Sequence, residues 1–461
     1  MAVVSAGVAA RLERLPRSRY LRGLVLRISA GGFFELYDLF MSAYIALGLI
    51  KSGLFAAVTR SAFDPRAFAS FVGAGFAGMF LGTLFFGWVS DRFGRKTTFT
   101  ISMLWYSAAT LAMALAPTTE AIDAWRFIAG IGIGVQLVTI DSFICEIAPS
   151  RLRGGFIALS QFIGYLAVPV VAFLAYVLVP RAVVGFDGWR VVAAVGALGG
   201  LAIWWLPKGL PESPRWLASR GRREDASLAL TEIERRVVAE THAVLPAASF
   251  AAEPPVAGSW REIWSARYRT QTAMLVVFNF AQTVGFYGFA SWVPIFLARE
   301  GMSVVHSLFY TLLIAVANPL GPLLAMRYAD RFERKWQIVV LSGAIAVFGL
   351  LFAQARAPAL IVAFGIIIAL ANAWFSCAFH AYQAELYPTR IRARAVGFVY
   401  SWSRFSAIFA AFLIAAILAR YGTAGVFLFI AAAMAVVAFS IGIFGRKTRG
   451  IVLEDLAPGA V

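Results

Sequence analysis

Apolar and polar positions in this chain alternate on a scale much longer than a helical turn or a strand pleat. Twelve apolar runs fall at about 27–50, 68–89, 98–116, 122–145, 154–178, 189–206, 270–297, 305–327, 337–355, 358–384, 395–418 and 422–444. Each is close to the roughly 20 residues that an α-helix needs to cross a bilayer. Lipid offers no partners to backbone amides, so all twelve are predicted to be helices. One polar stretch, 207–268, is long; six runs precede it and six follow. The pattern predicts an all-α membrane protein with twelve transmembrane helices in two six-helix bundles, 27–206 and 269–445. A basic segment (1–26) precede the bundles and a tail (446–461) follows. The central segment should hold short amphipathic helices near 222–240 and a flexible Pro/Ala stretch near 245–258.

Composition agrees, with 61% hydrophobic and 14% charged residues. The net charge of +17 would suit a nucleic-acid binder, but its distribution does not. With the N-terminus placed inside, 31 of the 41 Lys and Arg fall in cytoplasmic segments, eight fall opposite, and Arg126 and Arg404 lie within spans. This skew is the positive-inside rule, so both termini and the central segment are expected in the cytoplasm, facing anionic lipid and not DNA. The first apolar run is full length and reads as a retained span rather than a cleaved leader. No Asn lies in a glycosylation sequon, and the outer loops are short. Both points favour a bacterial inner membrane.

Two charged signatures occur twice. Asp91-Arg92-Phe93-Gly94-Arg95-Lys96 returns as Asp330-Arg331-Phe332-Glu333-Arg334-Lys335, and Glu146-Ile-Ala-Pro-Ser-Arg-Leu-Arg153 returns as Glu385-Leu-Tyr-Pro-Thr-Arg-Ile-Arg392. Both displacements (91 to 330, 146 to 385) are 239 residues, which marks a duplicated membrane unit. Repeated halves are the build of a transporter, because a site between them can open to either side in turn. In the first signature Gly87 permits close helix approach and Gly94 a tight turn. Asp91 can accept from Arg95 and from a neighbouring helix N-terminus. Pro149 and Pro388 end their helices, and the Glu seven positions before Arg153 or Arg392 suggests a fold-back ion pair.

These elements resemble the major facilitator superfamily. Together with Pro211-Glu212-Ser213-Pro214-Arg215-Trp216-Leu217 they narrow the resemblance, over about residues 25–445, to the sugar-porter branch and its metabolite:proton symporter neighbours. The resemblance implies a latch between the cytoplasmic ends of the two halves, formed by Gly87, Asp91, Arg92, Gly94 and Arg95 with Asp330 and Arg334. It also implies a gate network of Glu146, Arg153, Glu212, Arg215, Glu385 and Arg392. Simple topology anchoring remains the alternative. Met326 and Glu333 replace the two glycines in the second copy, so the first latch should dominate.

A charge at mid-membrane costs at least about 2.5–3.5 kcal/mol and marks function by default. Glu35 and Asp38 share one helix face. Asp38 and Arg126 resemble the helix-1 aspartate and helix-4 arginine of proton-coupled sugar porters, which implies a proton-coupling set of Asp38, Glu35 and Arg126. A permanent structural ion pair is the alternative, and either acid is open as the carrier. Asp141, near a helix C-terminus, needs a cationic partner or a proton, either in the gate or in a loop pair. Arg404 lies roughly 13 Å into its span at 1.5 Å per residue. It can meet an acid across the cleft, snorkel to headgroups, or bind a substrate carboxylate. The resemblance implies substrate contacts at Gln161 and Asn318. Asn279 and Gln282 share a face of helix 7, and Trp374, His380 and Trp402 add candidate binding surface, each with packing as the plainer role.

The expected function is secondary active transport: proton-coupled uptake of a small organic acid by alternating access. A sugar or polyol:proton symporter, a proton-driven exporter and a non-transporting nutrient sensor are the alternatives. The three His and two Cys form no metal-ligand cluster and no phosphate loop is present, so neither an enzyme nor a resident cofactor is expected. The partners are a small-molecule substrate, protons and the lipid bilayer, with no nucleic acid, and the protein is expected to be monomeric.

Overall fold

The computed structural model describes residues 2–57, 64, 66–85, 87–183, 185–202, 208–246, 260–328, 331–387 and 389–448. In chain order the first half comprises α1 (Ala2–Glu13), α2 (Arg19–Lys51), α3 (Phe68–Phe85), α4 (Gly87–Phe93), α5 (Arg95–Leu115), α6 (Thr119–Ile147), α7 (Ser150–Tyr165) and α8 (Ala167–Leu178). A two-stranded hairpin, β1 (Ala182–Val183) and β2 (Phe186–Asp187), leads into α9 (Gly188–Ala197) and α10 (Gly199–Ala202). The central segment holds α11 (Pro214–Ser219) and α12 (Arg223–Thr241). The second half comprises α13 (Arg269–Ala290), α14 (Val293–Arg299), α15 (Val304–Ala315), α16 (Leu320–Tyr328), α17 (Arg334–Gln354), α18 (Pro358–Glu385) and α19 (Thr389–Phe444).

Among the described residues nine helices are long and apolar enough to cross a membrane, and two shorter apolar helices, Phe68–Leu84 and Gly188–Ala202, accompany them. The longest of the nine is two spans. Gly422 is non-helical (φ 65°, ψ −166°), and Ile414 and Ile430, on either side of it, both reach Gly288. In a straight helix they would be about 24 Å apart. The chain therefore doubles back at Gly422, which completes twelve spans in two six-helix bundles. Outward faces carry exposed apolar side chains, such as Ile101 and Leu104 on α5 and Leu428 and Phe439 on α19, as a lipid-facing surface requires.

Glycine sets the tightest seam. A Cβ on Gly78 or Gly82 of α3 would strike the α6 backbone at Phe127 and Ile131, and one on Gly130 or Gly134 would strike α3 in return. Backbone-to-backbone contact of this kind is how small residues pack membrane helices.

The polar ends hold what the apolar pattern did not show. α2 begins at Arg19, before the expected start at 27, because Ser18 Oγ accepts from Leu21 N at 3.1 Å. Glu240 of α12 also accepts the amides of Arg19 (2.5 Å) and Tyr20 (2.8 Å). The basic N-terminal segment forms α1, which docks on α12 through Arg11 and Arg14, each 2.7 Å from Glu234. Burial pushes the Glu234 carboxyl up, but the hydrogen bonds from Arg11 and Arg14 outweigh it and hold the group below its ordinary value. The short helix expected near 222–240 is α12. From 247 onward the expected Pro/Ala stretch lies outside the described residues.

Candidate functional site

At the face carrying α11 and α12, Arg95 is the hub. It donates to Asp91 Oδ1 (2.7 Å), Ser90 Oγ (3.1 Å) and Glu146 Oε1 (2.7 Å). Glu212 Oε1 accepts the backbone amides of Arg95 (2.9 Å), Lys96 (3.1 Å) and Ser213 (2.9 Å), so it caps α5, where the helix dipole favours a carboxylate. Gly94 makes this possible: its φ is +100°, and a Cβ there would meet Glu212 Oε2. The Asp91 carbonyl accepts from Trp216 Nε1 at 2.6 Å and from Arg220 Nε at 2.9 Å. Glu13 caps α7, accepting from Ser150 N (2.8 Å) and Oγ (2.6 Å), and pairs with Arg215 at 3.0 Å. Burial raises the Glu13 carboxyl, but its bonds to Ser150 and Arg215 prevail and lower it.

Two corrections follow. Glu146 does not fold back onto Arg153; Arg95 takes it, because Pro149 ends α6 and directs α7 away. In the same way Glu385 pairs with Arg334. Among the described residues the latch of the first copy grips the central segment, through Glu212, Trp216 and Arg220, and not the second bundle. The ion pairs of Arg95 and Arg334 each close inside their own half. Arg92 is exposed over Phe93. Asp330 and the side chain of Arg392 lie outside the described residues, and for Gly87 only its place at the start of α4 is described.

Deeper in, Asp38 and Arg126 are fully buried and form an ion pair, with Thr110 Oγ1 donating to the other Asp38 oxygen. Arg126 also donates to the Asp38 carbonyl (3.1 Å) and Ser42 Oγ (2.8 Å), and its guanidinium stands 5.4 Å from the centre of the Phe71 ring. The pair is sealed among α2, α3, α5 and α6, within the first half.

Three residues before Asp38, Glu35 instead lines a cavity between the halves. This cavity has about 810 Å³ of empty space, part of it open to solvent. α2, α6 and α7 form one wall; α13, α18 and α19 form the other. The duplication continues into these walls. Leu137, Ile140, Asp141, Gln161, Gly164 and Tyr165 face Ser376, Phe379, His380, Tyr400, Ser403 and Arg404, each pair separated by the same 239 positions. Arg404 is 2% exposed. Its guanidinium donates to the Tyr287 (2.5 Å) and Tyr400 (2.8 Å) hydroxyls and lies over both rings. Its Nε has no partner, and among the described residues no carboxylate pairs with it. Of the three partners left open for Arg404, a cross-cleft acid does not pair with it among the described residues, and the phenols hold the arginine inward, away from the headgroups. Neither Glu35 nor Asp141 makes a hydrogen bond or ion pair with a described residue, although both line the cavity. His380 Nδ1 donates to the Ser376 carbonyl at 2.7 Å, which leaves Nε2 as a free acceptor.

The remaining candidates divide. Gln161 and Gln282 line the cavity. Asn279 is tied to Gln383 Oε1 at 2.8 Å and does not line it. Trp374 faces away, donating to Gln337 (3.0 Å) and stacking on Tyr328. Trp402 packs between Phe398 and Phe405 and does not line the cavity. Asn318 lies in a second, smaller cavity with Tyr44, Thr311 and Asn372. Phe40 of the first half and Phe286 of the second, 6.3 Å apart edge to face, border both cavities. The chemistry of Tyr400 went unremarked at the sequence level, although its place four residues before Arg404, one turn away on the same face, is a usable signal.

The profile of the family described as sugar (and other) transporter matches residues 24–459. The chain is 33% identical over 450 residues to a putative metabolite transport protein, YyaJ, of Bacillus subtilis (strain 168), covering 96% of each. It is 31% identical over 454 residues to the niacin transporter NiaP of Acinetobacter baylyi, covering 97% of this chain and 99% of that one. Among solved structures, the partially occluded inward-open conformation of the xylose transporter XylE from E. coli superimposes with a TM-score of 0.76 at 21% identity, covering 94% of this chain and all of that one. With twelve spans in two bundles, a cavity between them and this match over nearly its whole length, the chain belongs to the sugar (and other) transporter family of the major facilitator superfamily, and it is a membrane transporter of small metabolites rather than an enzyme.

Proposed function

We propose that this protein is a proton-coupled importer of a small organic acid, working as a monomer with both termini and the central segment in the cytoplasm. The observation that carries the proposal is Arg404. It is a buried cation in the wall of the inter-half cavity, aimed by two tyrosine hydroxyls and lacking a carboxylate partner among the described residues. A substrate carboxylate supplies that partner, and a charge-assisted bond to it is worth about 1.5–3 kcal/mol. Phe40, Phe286 and Phe379 give the same cavity flat apolar walls, which suit a ring bearing the carboxylate. The niacin transporter among the relatives is named for such a molecule, a pyridine carboxylate.

A sugar or polyol symporter is the second reading, favoured by Gln161 and Gln282 in the wall. Asn279, Trp374 and Trp402 do not reach this cavity, which weakens it. Uptake by proteoliposomes across a panel of nicotinate, benzoate, xylose and glucose, with and without an imposed pH gradient, decides between them. Gradient-driven accumulation of acids and not of sugars is the expected result. Accumulation of sugars alone overturns the proposal, and outward transport alone assigns the protein to export.

A further inference from the structure

We infer that the proton driving transport is carried by Glu35 together with Asp141, at the cavity wall facing Arg404, and not by Asp38. This inference rests on the organic-acid reading above.

The first ground is access. Asp38 has no exposed surface, and both its oxygens are engaged, one by Arg126 and one by Thr110. Protonating it requires breaking a buried pair and leaving Arg126 unneutralised. Glu35, one turn earlier on α2, is 4% exposed, borders the cavity and has no hydrogen-bond partner among the described residues. An unpartnered buried carboxyl is costly unless something in its cavity compensates it. Asp141 enters the same cavity from α6 without a cationic partner among the described residues. Asp141 and Arg404 border the same cavity as Glu35.

The second ground is charge balance. Two acids and one arginine face each other, so with both acids ionised the empty cavity carries one excess negative charge. One proton held between Glu35 and Asp141 cancels it, as neighbouring carboxyls in a low-dielectric site commonly share protons. When a substrate carboxylate docks on Arg404, the remaining ionised acid loses its counter-charge and takes a second proton from water. Release of the substrate returns Arg404 to the acid, and that proton leaves. One proton therefore moves with each monocarboxylate, and the cycle is electroneutral. The other titratable groups around Glu35 are Tyr106 of α5, Tyr165 of α7, Tyr287 of α13, His380 of α18 and Tyr400 of α19. Of these, Tyr287 and Tyr400 hold Arg404, and the His380 Nδ1–H is engaged by Ser376.

The test uses full-length protein in proteoliposomes, with nicotinate or benzoate as the probe, whichever the wild type accumulates. If it accumulates neither, the organic-acid reading itself fails, before any variant is made. At one proton per substrate, an inward gradient of one pH unit supports about tenfold accumulation. E35Q and D141N each imitate the resting proton and leave one acid to titrate, so each should keep about tenfold accumulation, whereas the double variant E35Q/D141N should fall to about onefold relative to its own counterflow, which reports folding and binding separately, and should lose the pH dependence of counterflow. Retention of the wild-type ratio of accumulation to counterflow in the double variant overturns the inference. A wild-type measurement decides the matter even if the variants misfold. Uptake set by the pH gradient and indifferent to a potential clamped with potassium and valinomycin supports it; uptake driven by the potential alone overturns it.

Discussion

Replacing Asp38 by Asn keeps the shape of the side chain and removes its charge, leaving Arg126 buried without a counter-ion. Breaking a buried ion pair by removing one partner typically costs about 3–5 kcal/mol. Here Arg126 retains Ser42 Oγ at 2.8 Å, the Asp38 carbonyl at 3.1 Å and the Phe71 face at 5.4 Å. Asn also preserves an acceptor for Thr110. The lower end, about 3 kcal/mol, is therefore expected, more than a hundredfold in the folding equilibrium. Arg126→Met leaves the mirror defect, but Asp38 can then take a proton and become neutral, so its cost is smaller. The double variant has no unpaired charge and should regain about 2 kcal/mol relative to the sum of the singles, within the range of coupled neighbours. Unfolding in mixed detergent micelles, followed by tryptophan fluorescence, gives the four stabilities. Additive costs, or an Asp38→Asn protein as stable as wild type, would refute the view that this pair holds α2 to α6.

Other consequences of the geometry are equally open to measurement. Arg404→Gln should weaken binding of carboxylates by roughly tenfold to a hundredfold and that of neutral sugars far less; equal losses in a competition assay would remove the case for an anionic ligand. Gly94→Ala forces a positive φ on a residue with a Cβ and drives that Cβ into Glu212, so it should free α11 from the α5 N-terminus and speed proteolysis of the central segment, and an unchanged cleavage rate would contradict this. Glu13 and Glu234 titrate lower in the folded state than unfolded. The docking they support is thus complete above the ordinary glutamate pKa of about 4.3 and is lost as the pH falls through their lowered folded values. The protection factors of α1 amides, corrected for the intrinsic pH dependence of exchange, should fall below about pH 4 and stay constant above neutrality; a fall on the alkaline side would show that other groups hold the helix.

Much of the architecture was legible because lipid imposes a coarse grammar: spans of fixed length, basic residues on one side, and a duplicated signature marking the two halves. Local breaks were less visible. The Leu166 turn between α7 and α8 lies in uninterrupted apolar sequence, where neither polarity nor charge marks a change of direction, whereas the reversal at Gly422 was marked by Arg420 between the apolar runs 395–418 and 422–444. The buried charges announced themselves, but their partners did not. Glu35 and Asp38 share a helix face, yet three residues of rotation and tilt send one into the cavity and the other into the α2–α6 seam. Glu146 is seven residues from Arg153 in sequence but is taken by Arg95, 51 residues away, because a hub already held by Asp91 lies on its side of the fold. α1 was invisible for a different reason: its docking depends on Arg11 and Arg14 reaching Glu234, more than 200 residues distant.

The duplication also shows where chemistry was added to a symmetric scaffold. Gly164 and Ser403 occupy matching cavity positions and are both small; Ile140 and Phe379 are both apolar. The pairs that break the symmetry are Asp141 with His380 and Tyr165 with Arg404, so acids stand on one wall and the cation on the other. A cavity between two rocking bundles is useful for coupling only if the field inside it changes as the walls move. Equal charges on both walls would change little with rotation. An acid wall facing a tyrosine-held arginine makes the energy of a bound anion and that of a bound proton depend on the same separation, and this is the condition for one to drive the other.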